Sequence, residues 1–160
     1  MKLVFSLFLI AGVFIISCTK DRGILNGQLT DEKLFQLTTD TAGHTFYQSA
    51  NYLAPAGGSP HGIFRLRFNP KAQSALDGTG ELPVSGNFPD SSLLVKEVYD
   101  APSGNLTVYA VMYKLNGVWN WAEYGSGGNT VFSVYNNANT CTNCHNQTPN
   151  RDQVRTFDLH

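Results

Sequence analysis

Charge is scarce in this chain of 160 residues: only 14% of the side chains are Asp, Glu, Lys or Arg, and the formal net charge is −1. No run of lysines or arginines gathers into a basic patch, which argues against nucleic acid as a partner. After the first 16 residues there is no second long apolar run, so the chain is not threaded repeatedly through a membrane. Internal repeats and low-complexity tracts are absent, and so are the long heptad-patterned helices of a helical bundle. Cysteine is rare as well, with three residues: Cys18, Cys141 and Cys144.

What is present begins at the N-terminus. "MKLVFSLFLIAGVFIISC" has one early lysine and an apolar run from Leu3 to Ile16, then Ser17-Cys18. A run of about 14 residues suits a signal-peptide core and falls short of a membrane span. A small residue followed by Cys resembles a lipobox, which implies cleavage before Cys18 and lipidation of that residue. The expectation is therefore a lipoprotein signal over residues 1–17, a polar tether over 18–29 and a single domain over 30–160. Such a protein is exported, periplasm-facing or in the outer membrane, and held to the membrane by its lipid.

Along the domain, Thr30 or Asp31 is placed to cap a short helix over "DEKLFQLTT", and "YLAPAGGSPHG" is a loop by its Gly, Pro and Ser content. "GIFRLRFN" alternates strictly, with Phe64, Leu66 and Phe68 on one face and Arg65 and Arg67 on the other, as a half-buried strand does. Pro70 suits the first turn of a helix of about two turns. "SSLLVKEVYD", "NLTVYAVMYKL" and "VWNWAEYG" read as strands, the last two joined by a tight turn at "LNG". "NTVFSVYNN" is a further strand or a turn. The fold class is mainly β, an antiparallel sheet domain with a few short helices.

Cys141, Cys144 and His145 spell C-x-x-C-H. Two thiols three residues apart on a helical turn can add across the two vinyl groups of haem, and the next imidazole then sits beneath the iron. The competing chemistries are weaker. A thioredoxin-like redox pair expects a strand-to-helix junction in an αβ pattern, and a zinc site expects a second pair of ligands. One covalent haem c near the C-terminus, with His145 as its axial ligand, is the expected cofactor.

The sixth iron position is less determined. Met112 is the one methionine left after signal removal and would close the iron as in an electron carrier, yet a methionine in such a strand also fills a core. His44, His61 and His160 are further candidates, or else solvated loop and terminal residues. Phe64 and Phe68 share a strand face and suit a cap over an open iron. Glu97 and Glu123 are acids embedded in apolar strands, either proton acceptors near a substrate or outward-facing strand residues. Arg65 and Arg67 either pair with haem propionates or lie solvated.

The segments "FRLRFNPKAQSAL", "NFPDSSLLVKEVYD", "YAVMYKLNGVWNWAEYG" and "CTNCHNQTPNRDQVRTF", in that order, resemble the cytochrome P-460 family. The resemblance spans residues 45–157 and includes the cytochrome c′-beta relatives. It implies a mainly antiparallel β fold with one haem c and a five-coordinate iron. Function then divides between hydroxylamine oxidation involving nitric oxide, which would make the protein an oxidoreductase, and binding of small gases. It further implies Cys141 and Cys144 as thioether positions and His145 as proximal ligand. In oxidising members a lysine is bonded to the haem edge and a glutamate is distal; Lys71 and Glu97 are the matching expectations. Phe64 and Phe68 suit the gas-binding version. A periplasmic electron-transfer partner and a homodimer are the implied assemblies.

Overall fold

Val, Leu, Tyr and Trp dominate segments 93–99, 106–115 and 118–125, and each forms a strand as the β-branched and aromatic content requires. The structure, a computed structural model, describes residues 24–25, 28–102 and 104–160. The signal segment and Cys18 lie outside the described residues.

Strands β1 (Ile24–Leu25) and β2 (Gln28–Leu29) pair with each other. Six more strands form one antiparallel sheet in sequence order: β3 (Thr45–Phe46), β4 (Ile63–Phe68), β5 (Leu93–Tyr99), β6 (Leu106–Leu115), β7 (Val118–Gly125) and β8 (Thr130–Phe132). The turn between β6 and β7 has Asn116 and Gly117 at φ 53° and 75°, the pair of left-handed residues that matches strand twist in a two-residue hairpin.

Helix α1 (Asp31–Thr39) starts at Thr30, whose side chain accepts from the Lys33 amide at 3.2 Å. Its Leu34 is fully buried against one sheet face, with Leu93, Val95, Val111, Ala122 and Tyr124. Helix α2 (Pro70–Gln73) is a single turn rather than the expected two, capped by Asn69 through the Ala72 amide at 2.9 Å. The chain leaves it by turns at Ala75 and Leu76 that pack on the opposite sheet face. Helices α3 (Asn139–His145) and α4 (Thr156–Leu159) lie on that same second face. The sheet therefore has two buried sides. One is filled by α1; the other is only partly filled, and the difference creates the site.

Candidate functional site

The second face of the sheet carries two cross-strand rows. Register aligns Leu66, Lys96, Ala110, Glu123 and Phe132 in one row, and Phe68, Leu94, Met112 and Trp121 in the next. Ala110 is small between two long neighbours, so the first row leaves a trough. Above it lies a cavity of about 440 Å³, within the range of small-molecule and cofactor sites. The loop at Ala56–His61, α3, and the segment Val154–His160 complete its walls.

Helix α3 brings the motif to this cavity. Positions 141, 144 and 145 are related by three and four residues, so a helical turn presents all three along one face. Cys141, Cys144 and His145 all line the cavity, and both cysteines are free thiols. His145 Nδ1 lies 2.7 Å from the Gln153 carbonyl oxygen, so Nδ1–H donates and Nε2 keeps its lone pair for a metal. The Trp121 ring meets the imidazole edge-on, with centroids 4.6 Å apart. Burial, set against the Gln153 bond, lowers the His145 pKa to about 4, so the ring is neutral at physiological pH, as ligation demands. Burial and then the charge of Glu123 raise the Cys141 thiol, the opposite of the depressed value that activates a redox thiolate.

The acceptor for His145 is built from strained backbone. Asp152 and Gln153 are consecutive non-glycine residues at φ 49° and 66°. Each costs on the order of 1–3 kcal/mol and persists only where surrounding contacts over-determine it.

Lys96 projects into the cavity with its Nζ 4.2 Å from the Phe64 ring centroid. Among the described residues no carboxylate lies within ion-pair distance of it. Burial lowers its pKa to about 8, leaving a substantial neutral fraction of amine at mildly alkaline pH. Glu123, across Ala110, has its carboxyl pushed up by burial. His61 Nδ1 stands 3.7 Å from Glu123 Oε1, and burial lowers this imidazole to about 4. The contact at neutral pH therefore joins a neutral imidazole to a carboxyl, and is not an ion pair.

The expected residues divide. Cys141, Cys144, His145 and Phe64 meet at the cavity, and so do Met112, His61, His160 and Glu123. Phe68 faces the same side but lies deeper, in a mutually stacked cluster with Phe88 and Phe157. Lys71 is exposed on α2 and away from the cavity lining. Glu97 is on the other sheet face, bonded to Arg67 Nε and Arg65 Nη2, each at 2.8 Å. Arg67 is fully buried there, bonding also the Thr38 carbonyl and His44 Nδ1, while Arg65 packs over the Phe46, Tyr52 and Tyr99 rings. Both arginines, like His44 and Glu97, are thus structural groups remote from the cavity. Lys96, Trp121 and Arg155 were missed by sequence reasoning; the facing of Lys96 follows from its antiparallel register with Leu66, for which the sequence holds no local signal.

The residues present fit a covalently held haem. Two thiols and one neutral imidazole with a free Nε2 converge on a mainly apolar space. Trp121 Nε1 and Arg155 Nε, both on cavity-lining residues, are buried without a hydrogen-bond partner. Such orphaned donors are rare in a closed core and natural where an acceptor-bearing group enters. Comparison of the chain with protein-family models, with curated proteins and with solved structures finds no match.

Proposed function

We propose that this protein is an exported mono-haem c protein that binds, or oxidatively processes, small nitrogen-oxide ligands such as nitric oxide and hydroxylamine, in the manner of the cytochrome P-460 family that its sequence resembles. The observation carrying this reading is the convergence of Cys141, Cys144 and His145 on one cavity that also holds Lys96 and Glu123. Bound haem supplies an iron that takes a small ligand and exchanges electrons with it.

The protein's own groups have separable roles. Cys141 and Cys144 hold the cofactor by thioethers, and His145 donates its Nε2 lone pair. Glu123, with its carboxyl held above the usual range, accepts a proton from a ligand's N–H or O–H, and the neutral His61 beside it can pass that proton to solvent. Lys96, whose burial lowers its pKa to about 8, is the lysine we assign to the haem-edge bond that the family resemblance implies. Phe64, beneath the Lys96 ammonium, keeps water from that side. Lipidation at Cys18 would hold the domain at a membrane surface facing the periplasm, where an electron-transfer partner would exchange electrons with it; a homodimer is part of the same reading.

A second reading has one specific support: Met112, His61 and His160 all line the cavity, so a sixth ligand is available and would make the protein a six-coordinate electron carrier. The test is a visible spectrum of the reduced protein before and after nitric oxide. A high-spin spectrum that shifts on gas addition supports an open iron. A low-spin spectrum indifferent to the gas supports the carrier, and Met112→Ala would then alter it if methionine is the ligand. A negative pyridine haemochrome assay removes both.

A further inference from the structure

We propose that Lys114, Asp152 and Trp119 are positioning residues for His145: they clamp the left-handed turn whose Gln153 carbonyl receives the imidazole Nδ1–H. The proposal rests on His145 being the iron ligand. None of the three lines the cavity.

The clamp begins at the end of the sheet. Lys114 and Trp119 are direct cross-strand partners next to the β6–β7 turn, and the Lys114 ammonium lies 4.8 Å from the centre of the indole. Lys114 Nζ donates to both Asp152 carboxylate oxygens, at 2.8 and 3.0 Å. The Phe88 amide donates to Asp152 Oδ2 at 2.9 Å, and Trp119 Nε1–H donates to the Asp152 carbonyl at 2.9 Å. Asp152 is therefore gripped at its side chain and at its main chain. The side chains of Lys114 and Asp152 are only 8% and 9% exposed.

From Asp152 the constraint passes to Gln153. Their peptide plane is fixed on one side by the Trp119 bond. On the other, the Gln153 amide donates to Asn150 Oδ1 at 3.0 Å and its side-chain amide donates to Asn146 Oδ1 at 2.9 Å. The reciprocal Arg151–Val154 backbone pair, at 3.0 and 2.9 Å, closes the turn. In this conformation the Gln153 carbonyl points at His145 rather than at solvent. A buried ion pair is weak evidence for stability, because desolvation offsets much of its attraction. What this one secures is the direction of a carbonyl. The hydrogen bond at the outer nitrogen of a ligating imidazole sets ring orientation and ligand basicity.

The test uses the haem-loaded protein and two readouts: the iron–imidazole stretching band of the ferrous form by resonance Raman, and the midpoint reduction potential. Lys114→Met and Asp152→Asn are expected to move the band to lower frequency and the potential upward, since a loosened carbonyl leaves a less basic imidazole. Lys114→Arg, which keeps the charge, should return both toward wild type. Trp119→Phe keeps aromatic packing and removes one hydrogen bond, so it should give a smaller shift of the same sign. That variant carries the test if the charge variants do not fold. Should the sixth position be filled, the potential reads the same effect. Variants with full haem content and wild-type band and potential would overturn the proposal alone. Wild-type protein without haem would overturn the haem reading and this proposal together.

Discussion

Lys96 and Glu97 are adjacent in β5 and face opposite sides of the sheet. Lys96 enters the cavity, pairing in register with Leu66 and Ala110; Glu97 forms ion pairs with two arginines on the side covered by α1. One peptide bond separates a group that lines the cavity from a group that holds the fold.

Glu97→Gln should accordingly cost about 3 kcal/mol or more of folding stability, because Arg67 would remain buried without its carboxylate. The visible spectrum of the folded variant should not change. Burial alone would raise the Glu97 pKa, but bonds from Arg67, Tyr99 and Arg65 outweigh it and hold the carboxyl below its ordinary 4.5. The unfolded chain thus takes up this proton before the folded one does. Stability from Glu97 is present above pH 4.5 and is lost as pH falls through the lower folded value. Urea titrations over that acid range should show a flatter pH dependence in the variant.

The two lysines give the cleanest contrast. Lys96→Met should change the visible spectrum of the haem protein and remove any cross-linked peptide joining β5 to the C-x-x-C-H segment, read by mass spectrometry after proteolysis. Lys71→Met, on the exposed turn of α2, should leave the spectrum untouched and stability within about 0.5 kcal/mol.

Glu123→Gln keeps the shape of the cavity floor and removes the proposed proton acceptor. Hydroxylamine turnover should fall by roughly 100-fold, the usual weight of a general base, while nitric oxide affinity changes little. Equal turnover in wild type and variant, by steady-state assay, would take Glu123 out of the chemistry.

Asp31 ties α1 to the far end of the sheet, accepting from the Tyr124 hydroxyl at 3.1 Å, the Ser133 hydroxyl at 2.5 Å and the Val134 amide at 2.9 Å. Asp31→Ala strands the buried Tyr124 hydroxyl and should cost about 2 kcal/mol, with faster amide exchange along α1.

Much of this molecule was legible in its sequence because the signals are local. The C-x-x-C-H spacing, the Thr30 cap, the alternation of β4 and the turn at Asn116-Gly117 each depend on a few adjacent residues. The facing of β5 was not legible in the same way. Six of its seven residues are buried, so neither side reads as polar, and alternation alone gives no direction. Glu97 drew attention as an isolated acid; only the register beside Arg65 identifies it as the arginines' counter-charge. Phe64 and Phe68 shared a face as expected, but the depth of Phe68 follows from Phe88 and Phe157, which arrive from distant segments. His61 and His160 read as loop and terminal residues, and they are; the loop and the terminus happen to form the cavity wall.

Because the partner of His145 is a main-chain oxygen, no replacement of the Gln153 side chain can delete it. Substitutions at 153 leave the acceptor in place, and the electronic character of the imidazole becomes a property of loop shape. The side chain at 153 acts only through the turn it helps hold, by its bond to Asn146 and its left-handed φ of 66°, and a change in packing at the sheet end near Lys114 and Trp119 reaches the His145 imidazole through that same turn.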